Sequence, residues 1–188
     1  GISGSIAAYK SIDIASKLTQ SGANVDVVMT YSATQFVTPL TFRSITHRPV
    51  HHDLWDINSP EAVEHVALSE RGDILIIAPA TAHMIGKLAI GLAEDPISIT
   101  ALATSAPLLI APAMDANMWS NPAVQQNIST LIERGATIIE PEEGRLASGL
   151  TGVGRLAATS TIIGEAAKIL GVKKALAGHR IIVTAGGT

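Results

Sequence analysis

Two side chains in this 188-residue chain have the type and setting to do acid–base chemistry: Asp115 in "APAMDANMWSNPAVQ" and His65 in "EAVEHVALSERGD". Asp115 stands where an apolar run stops. Three roles are open to it: a catalytic carboxylate, the cap of a turn through Trp119, or an acid in a site built for a neutral group. His65 is a candidate base just ahead of a strand, in competition with His47, His51 and His52. His51 and His52 neighbour Asp53 and Asp56, which raises the question of a metal. Adjacent histidines point apart, and no HExxH spacing is present, so a solvated loop is the better reading. Ser3 to Ala7, in "GISGSIA", open a helix, where amides, hydroxyls and the helix dipole suit an anion. The stretch is neither a P-loop nor a full dinucleotide fingerprint, and a tight turn explains it equally well. Met114, Met118 and Trp119 could line a flat ligand or simply join the core.

The elements that must position these residues follow from periodicity and punctuation. After Gly4, apolar Ile12, Ala15 and Leu18 fall at helical spacing, with Gly22 as a C-terminal stop. "ANVDVVMT" reads as a strand. "TPLTFRSIT" reads as a helix with Thr38 at the N-cap and Pro39 in its first turn. "DILIIAPA" and "PLLIAPAM" are continuous apolar runs of the kind buried on both faces of a parallel sheet. Helices are expected in "HMIGKLAIGLA", after Asp95-Pro96, and after Asn121-Pro122, the last with Val124, Ile128, Leu131 and Ile132 on its inner face and Gly135 at its end. "ATIIE" supplies another strand. The four glycines of "EEGRLASGLTGVGRL" predict a long loop or flap.

Alternating strand and helix imply a doubly wound parallel sheet in a three-layer α/β/α arrangement, with ligands at the carboxyl ends of the strands. The stretches "SGSIA", "TYSA", "PATAHM" and "PAMDANMW" all fall there. The length fits one buried domain, since 47% of the residues are hydrophobic. A net charge of −3 without a basic run argues against nucleic acid. The absence of cysteine removes disulfides and thiolate-bound metals and suits a reducing, cytoplasmic setting. No apolar stretch approaches the ~20 residues of a membrane span. The opening "GISGSIAAYK" reads as the loop after a strand, and "HRIIVTAGGT" as a strand running into a glycine loop. Both ends suggest a piece of something longer.

In order and separation, "GISGSIAAYK", "MTYSATQFVTP", "EHVALSERGDILIIAPATA", "GKLAIGLAEDPIS", "APAMDANMWSNPAVQ" and "EEGRLASGLTGVGRL" resemble the homo-oligomeric flavin-containing cysteine decarboxylases. The similarity is greatest to the phosphopantothenoylcysteine decarboxylase domains of coenzyme A biosynthesis. It implies a flavodoxin-like FMN-binding domain over residues 1–175, with residues 176–188 resembling the first strand of a following phosphopantothenate–cysteine ligase domain. It also implies a homo-oligomer, a trimer or an assembly of trimers. FMN contacts carry over onto Ser5, Ile6 and Ala7, onto Thr30 and Ser32, onto Thr81, Ala82, His83 and Met84, and onto Ala113. The family has Asn and Thr where His83 and Met84 stand.

The implied reaction turns 4′-phosphopantothenoylcysteine into 4′-phosphopantetheine. A cysteinyl carboxylate has no electron sink beside the carbon that loses carbon dioxide. Oxidising the thiol to a thioaldehyde with FMN supplies that sink; decarboxylation then gives an enethiolate, which is reduced and protonated. The resemblance assigns the base to His65, the substrate carboxylate to Asp115 with Met118 beside it, and the final proton donor to Ser148. Two of these depart from the family, which has Asn at the position of Asp115 and Cys at that of Ser148. Ionised Asp115 at ~4 Å from a carboxylate would be repelled by about 4 kcal/mol at an effective dielectric near 20, roughly a thousandfold in binding. Three arrangements relieve this. Asp115 is protonated, or Arg145 or Arg155 neutralises it, or it turns away as a cap. The first two rank ahead, because destabilising the substrate carboxylate favours its release. A serine hydroxyl is also a far weaker acid than a thiol of pKa ~8.5. Two other outcomes therefore stand beside the full reaction: a decarboxylase that stops at the enethiol, and a flavin-binding subunit that acts through protein contacts.

Overall fold

The computed structural model describes residues 1–53 and 64–171; of residues 64 and 65 it describes the backbone alone. The expected second domain after residue 175 lies outside the described residues. A 3₁₀ turn, Ile6–Tyr9, runs into α1 (Lys10–Gln20), followed by β1 (Val27–Val28), α2 (Tyr31–Thr34), α3 (Pro39–Thr46) and β2 (Val50–His51). Then come α4 (Glu64–Arg71), β3 (Leu75–Ala80), α5 (Ala82–Ile90), α6 (Pro96–Ala103), β4 (Leu108–Pro112), α7 (Ala116–Trp119), α8 (Pro122–Glu133) and β5 (Thr137–Ile138). The described chain ends with β6 (Glu142–Arg145), β7 (Thr151–Arg155) and α9 (Thr159–Gly171).

β1 pairs in parallel with β2, and β4 in parallel with both β3 and β5. The first three residues, expected as loop, join these groups through an isolated parallel bridge at Ile2 and backbone hydrogen bonds on both sides. Ile2 N donates to Val28 O at 2.8 Å and Thr30 N to Ile2 O at 3.1 Å, while Ala78 N donates to Gly1 O at 2.9 Å and Ser3 N to Pro79 O at 3.2 Å. The order across the sheet is therefore β2-β1-(1–3)-β3-β4-β5, all parallel.

Period-two alternation sends each central strand into two cores. Ile77 and Ile110 face Ile85, Ile97, Ile128 and Leu131 of α5, α6 and α8. Ala78, Leu109 and Ala111 face Ile14, Ile162 and Ala166 of α1 and α9. Both faces are covered, which is why "ILIIAPA" and "LLIAPA" carry almost no polar residue. The expected three-layer doubly wound arrangement is what forms.

Three expectations need correction. Ile132 is 53% exposed, because α8 turns only the stripe through Val124, Ile128 and Leu131 inward. His51 belongs to β2 and is buried, with its carbonyl accepting from Met29 N at 2.8 Å, so it is a strand residue and not part of a solvated loop. The glycine-rich segment is an antiparallel hairpin, β6 with β7. Its glycines permit close approach to the neighbouring chain: a Cβ on Gly154 would collide with the backbone carbonyl of Met114.

The junction before α6 is tied by local and buried polar contacts. Asp95 Oδ1 accepts from Ile97 N and Ser98 N at 3.0 and 3.1 Å, and the Ser98 hydroxyl accepts from Asp95 N at 3.2 Å. Asp95 Oδ2 also meets Lys87 Nζ at 2.9 Å, where Lys87 is 9% exposed. Burial works against the Lys87 charge, yet the bonds to Glu94 and Asp95 prevail and hold its ammonium above the ordinary lysine range. Asp95→Ala removes a cap and half of a buried ion pair, so urea unfolding is expected to show a loss of about 2–4 kcal/mol.

Candidate active site

Short helices begin at the carboxyl edge of the sheet, each capped by a side chain from the loop before it. Ser5 Oγ accepts from Ala7 N at 3.2 Å, Thr30 Oγ1 from Ala33 N at 3.1 Å, and Thr81 Oγ1 from Met84 N at 3.2 Å. Asp115 does the same for α7, accepting from Asn117 N at 3.0 Å. These caps turn helix N-termini toward one rim, where amides and dipoles favour negative charge. At the first of them, the amides of Ser5 and Ile6 have no partner among the described residues, and the helical run behind them extends to Gln20. Gly4 lets this loop lie against the next one, since a Cβ there would strike Ser32.

The other sequence-predicted contacts divide by exposure. Ile6 is 60% exposed, and Ser32 and His83 also face solvent at the rim. Ala82 begins α5 and Ala7 lies half-buried beneath Ser5. Met84 is 1% exposed in the core and its amide is held by Thr81, so neither its side chain nor its N–H is offered to a ligand. Ala113 is buried, its amide donating to Ala80 O at 3.0 Å, which leaves its carbonyl for other contacts. Met118 is 47% exposed, whereas Met114 and Trp119 pack on the core. The His65 side chain lies outside the described residues. Its helix, α4, leads back to the amino end of β3, so topology places the start of α4 at the carboxyl edge.

Ser148 sits at the tip of the β6–β7 hairpin, and its hydroxyl donates to Asp115 Oδ2 at 2.8 Å. The hairpin is held onto the Asp115 loop by a backbone bond as well, from Met114 N to Gly154 O at 2.9 Å. Among the described residues no cation lies within ion-pair distance of Asp115, so Arg145 and Arg155 do not neutralise it here. One carboxylate oxygen thus faces a backbone N–H and the other a hydroxyl, so Asp115 sits as the cap of α7 and the cation-paired arrangement does not form. At the base of the hairpin, Lys10 Nζ donates to Leu156 O at 3.2 Å. Burial and the neighbouring Arg155 hold the Lys10 ammonium below the ordinary lysine range, with Glu142 partly opposing them.

Sequence reasoning missed the clamp formed by Ser3. Its hydroxyl donates to Pro79 O at 2.8 Å and accepts from Thr81 N at 2.9 Å, fixing the phosphate-type loop against the loop after β3. No local pattern signals a partner that far along the chain. A cavity of about 570 Å³ at the amino edge, lined by Ile14, Asp26, Arg48 and Ile76 among others, includes none of the rim residues. No group of acidic and histidine residues among the described positions could hold a metal ion. No helix among them is long and apolar enough to cross a membrane.

The Flavoprotein family model matches residues 1–171. The chain is 44% identical over 189 residues to the coenzyme A biosynthesis bifunctional protein CoaBC of Bacillus subtilis (strain 168), covering 100% of this chain and 47% of the relative. It thus spans about half the length of the curated relatives it matches. Among solved structures, a cysteine-to-serine mutant of PPC decarboxylase complexed with pantothenoylaminoethenethiol superposes with a TM-score of 0.78 at 34% identity, over 88% of this chain and 92% of that one. The FMN-dependent cysteine decarboxylase SpaF superposes with a TM-score of 0.73 at 32% identity, over 88% and 94%. A family match that takes in all the described residues, joined to a shared fold at these identities, shows that this chain belongs to the Flavoprotein family.

Proposed function

We propose that this chain is an FMN-dependent carboxy-lyase that converts 4′-phosphopantothenoylcysteine to 4′-phosphopantetheine in coenzyme A biosynthesis. The observation that carries this reading is the seating of the hairpin on the Asp115 loop, beside a rim of capped helix starts. One wall offers unpartnered amides for a phosphate; the other covers the position where a carboxylate would be handled. The likeness to CoaBC, PPC decarboxylase and SpaF supports the same substrate class.

The residues present fit FMN. Its phosphate would be held by the amides of Ser5 and Ile6 and by hydroxyls of the rim, and the exposed apolar side chain of Ile6 suits a flat ring. When bound, FMN supplies a two-electron acceptor that takes electrons from the thiol and later returns them. His65 removes the thiol proton, Met118 packs on the bound substrate, and the hairpin carries Ser148 over the reacting atoms and excludes water. In this reading the working form is a homo-oligomer, a trimer or an assembly of trimers. Exposed Tyr31, Phe36 and Leu40 beside the rim supply apolar surface for a second copy, and the mass of the protein in solution tests this.

A second reading is favoured by Ser148 itself. PPC decarboxylase carrying serine in place of a cysteine is the form complexed with pantothenoylaminoethenethiol, and Ser148 stands where the family pattern has cysteine, so release of the enethiol is the competing outcome. Purified protein tests the first step. A yellow protein that releases carbon dioxide from the cysteine substrate is expected; a yellow protein that releases none would make it a flavin-binding subunit instead.

A further inference from the structure

We propose that Asp115 takes up a proton when the substrate carboxylate arrives and passes it through Ser148 to the enethiolate, the pair supplying the one proton that decarboxylation consumes. The inference rests on the decarboxylase reading above. Its starting point is the bonding of the two carboxylate oxygens. Oδ1 faces the backbone N–H of Asn117 at 3.0 Å, and Oδ2 faces the hydroxyl of Ser148 at 2.8 Å. In the ionised state both oxygens accept, so the hydroxyl proton of Ser148 is spent on Asp115.

An incoming carboxylate changes this. A like charge a few ångströms away favours protonation of one of the two carboxylates where no cation intervenes, and none is within ion-pair distance of Asp115 among the described residues. Oδ1 faces a backbone N–H, which can only donate, whereas Oδ2 faces a hydroxyl, which can also accept, so a proton on Asp115 is best placed on Oδ2, pointing at Ser148 Oγ. The bond between the two then reverses: Asp115 donates, Ser148 accepts, and the Ser148 hydroxyl proton is released toward the site.

The balance closes on this proton. Electrons taken from the thiol are returned, so the net change is R–CO₂⁻ plus one proton giving R–H and carbon dioxide. The bond from carbon to the carboxylate breaks, and a carbon–hydrogen bond forms. Ser148 gives its hydroxyl proton to the substrate as Asp115 replaces it, and Asp115 is left ionised for the next cycle. An amide at position 115 could cap α7 equally well and could donate to Ser148, but it could not replace the proton.

Other charged groups near Asp115 have other partners or positions. On the hairpin, Glu142 accepts from Ala158 N at 2.7 Å, Arg155 lies along Gly144, and Glu143 and Arg145 are exposed. α7 carries no titratable residue, and α8 only Glu133 at its far end. His83 lies in the first turn of α5 at the same rim, and His65 in the first turn of α4.

The test is calorimetry of the FMN-loaded protein with 4′-phosphopantothenoylserine, whose hydroxyl in place of the thiol blocks turnover. Titrations in buffers of different ionisation enthalpy at about pH 8, above the phosphate ionisation near ~6, count protons taken up on binding. About one proton per site is expected for the wild type, none for Asp115→Asn, and none with the analogue that lacks the carboxylate. Ser148→Ala is expected to keep the uptake while lowering kcat with KM nearly unchanged. Wild-type binding without proton uptake, or uptake that persists in Asp115→Asn, would overturn the proposal and leave the decarboxylase reading standing. Failure of the serine analogue to bind the wild type would overturn both.

Discussion

Replacing His65 by Asn is expected to slow carbon dioxide release by about 10²- to 10⁴-fold while FMN stays bound. The reaction cannot begin until the thiol loses its proton, and a thiol of pKa ~8.5 is mostly protonated at neutral pH. An amide of similar size keeps the helix start and removes only the base. None of the histidines near β2 is placed to share this role. His51 is buried in the strand, His47 ends α3 in a left-handed conformation, and His52 lies exposed beyond β2. His52→Asn should therefore retain wild-type turnover. Turnover close to wild type in His65→Asn would remove His65 from the mechanism.

Gly154→Ala should be nearly as damaging for a steric reason. The new Cβ would collide with the carbonyl of Met114, and its next neighbours, Met114 C at 3.2 Å and Asp115 C at 3.3 Å, are backbone too. No side chain can swing aside. The hairpin must lift, which breaks the bond from Met114 N to Gly154 O and carries Ser148 away from Asp115. A displacement of about 1 Å in a positioning element can cost about 10²-fold in rate, and a loss of that size in kcat/KM is expected. Because the hairpin is peripheral to the main cores, the cost in global stability should be smaller, about 1–3 kcal/mol. A variant with unchanged kcat/KM would show that the hairpin need not close on the Asp115 loop.

What could be read in the sequence was local. Pro96 after Asp95 and Pro122 after Asn121 mark helix starts because a cap and a fixed φ act within one turn, and Pro39 does so by its φ alone, since the Thr38 hydroxyl meets Thr41 Oγ1 rather than a backbone N–H. The central strands were legible because a strand buried on both faces leaves no room for polar residues. The hairpin was not, since its glycines weaken a strand by propensity; their value lies in a tertiary approach to Met114 that no local pattern records. Nor could sequence show that Ser3 clamps Thr81 or that Ser148 meets Asp115, because each pair is brought together only by the fold. The two departures from the family pattern were legible one at a time. Their direct contact turns them into a pair, and it decides how Asp115 is held before substrate arrives.

The central claim is that this site completes the conversion of a cysteinyl carboxylate to the saturated thiol despite serine at position 148. Single turnover of the FMN-loaded protein with 4′-phosphopantothenoylcysteine, without oxygen and with the product identified by mass, tests it most directly. The expected product is 4′-phosphopantetheine, with the flavin oxidised again at the end. Accumulation of the enethiol with the flavin left reduced would contradict the claim.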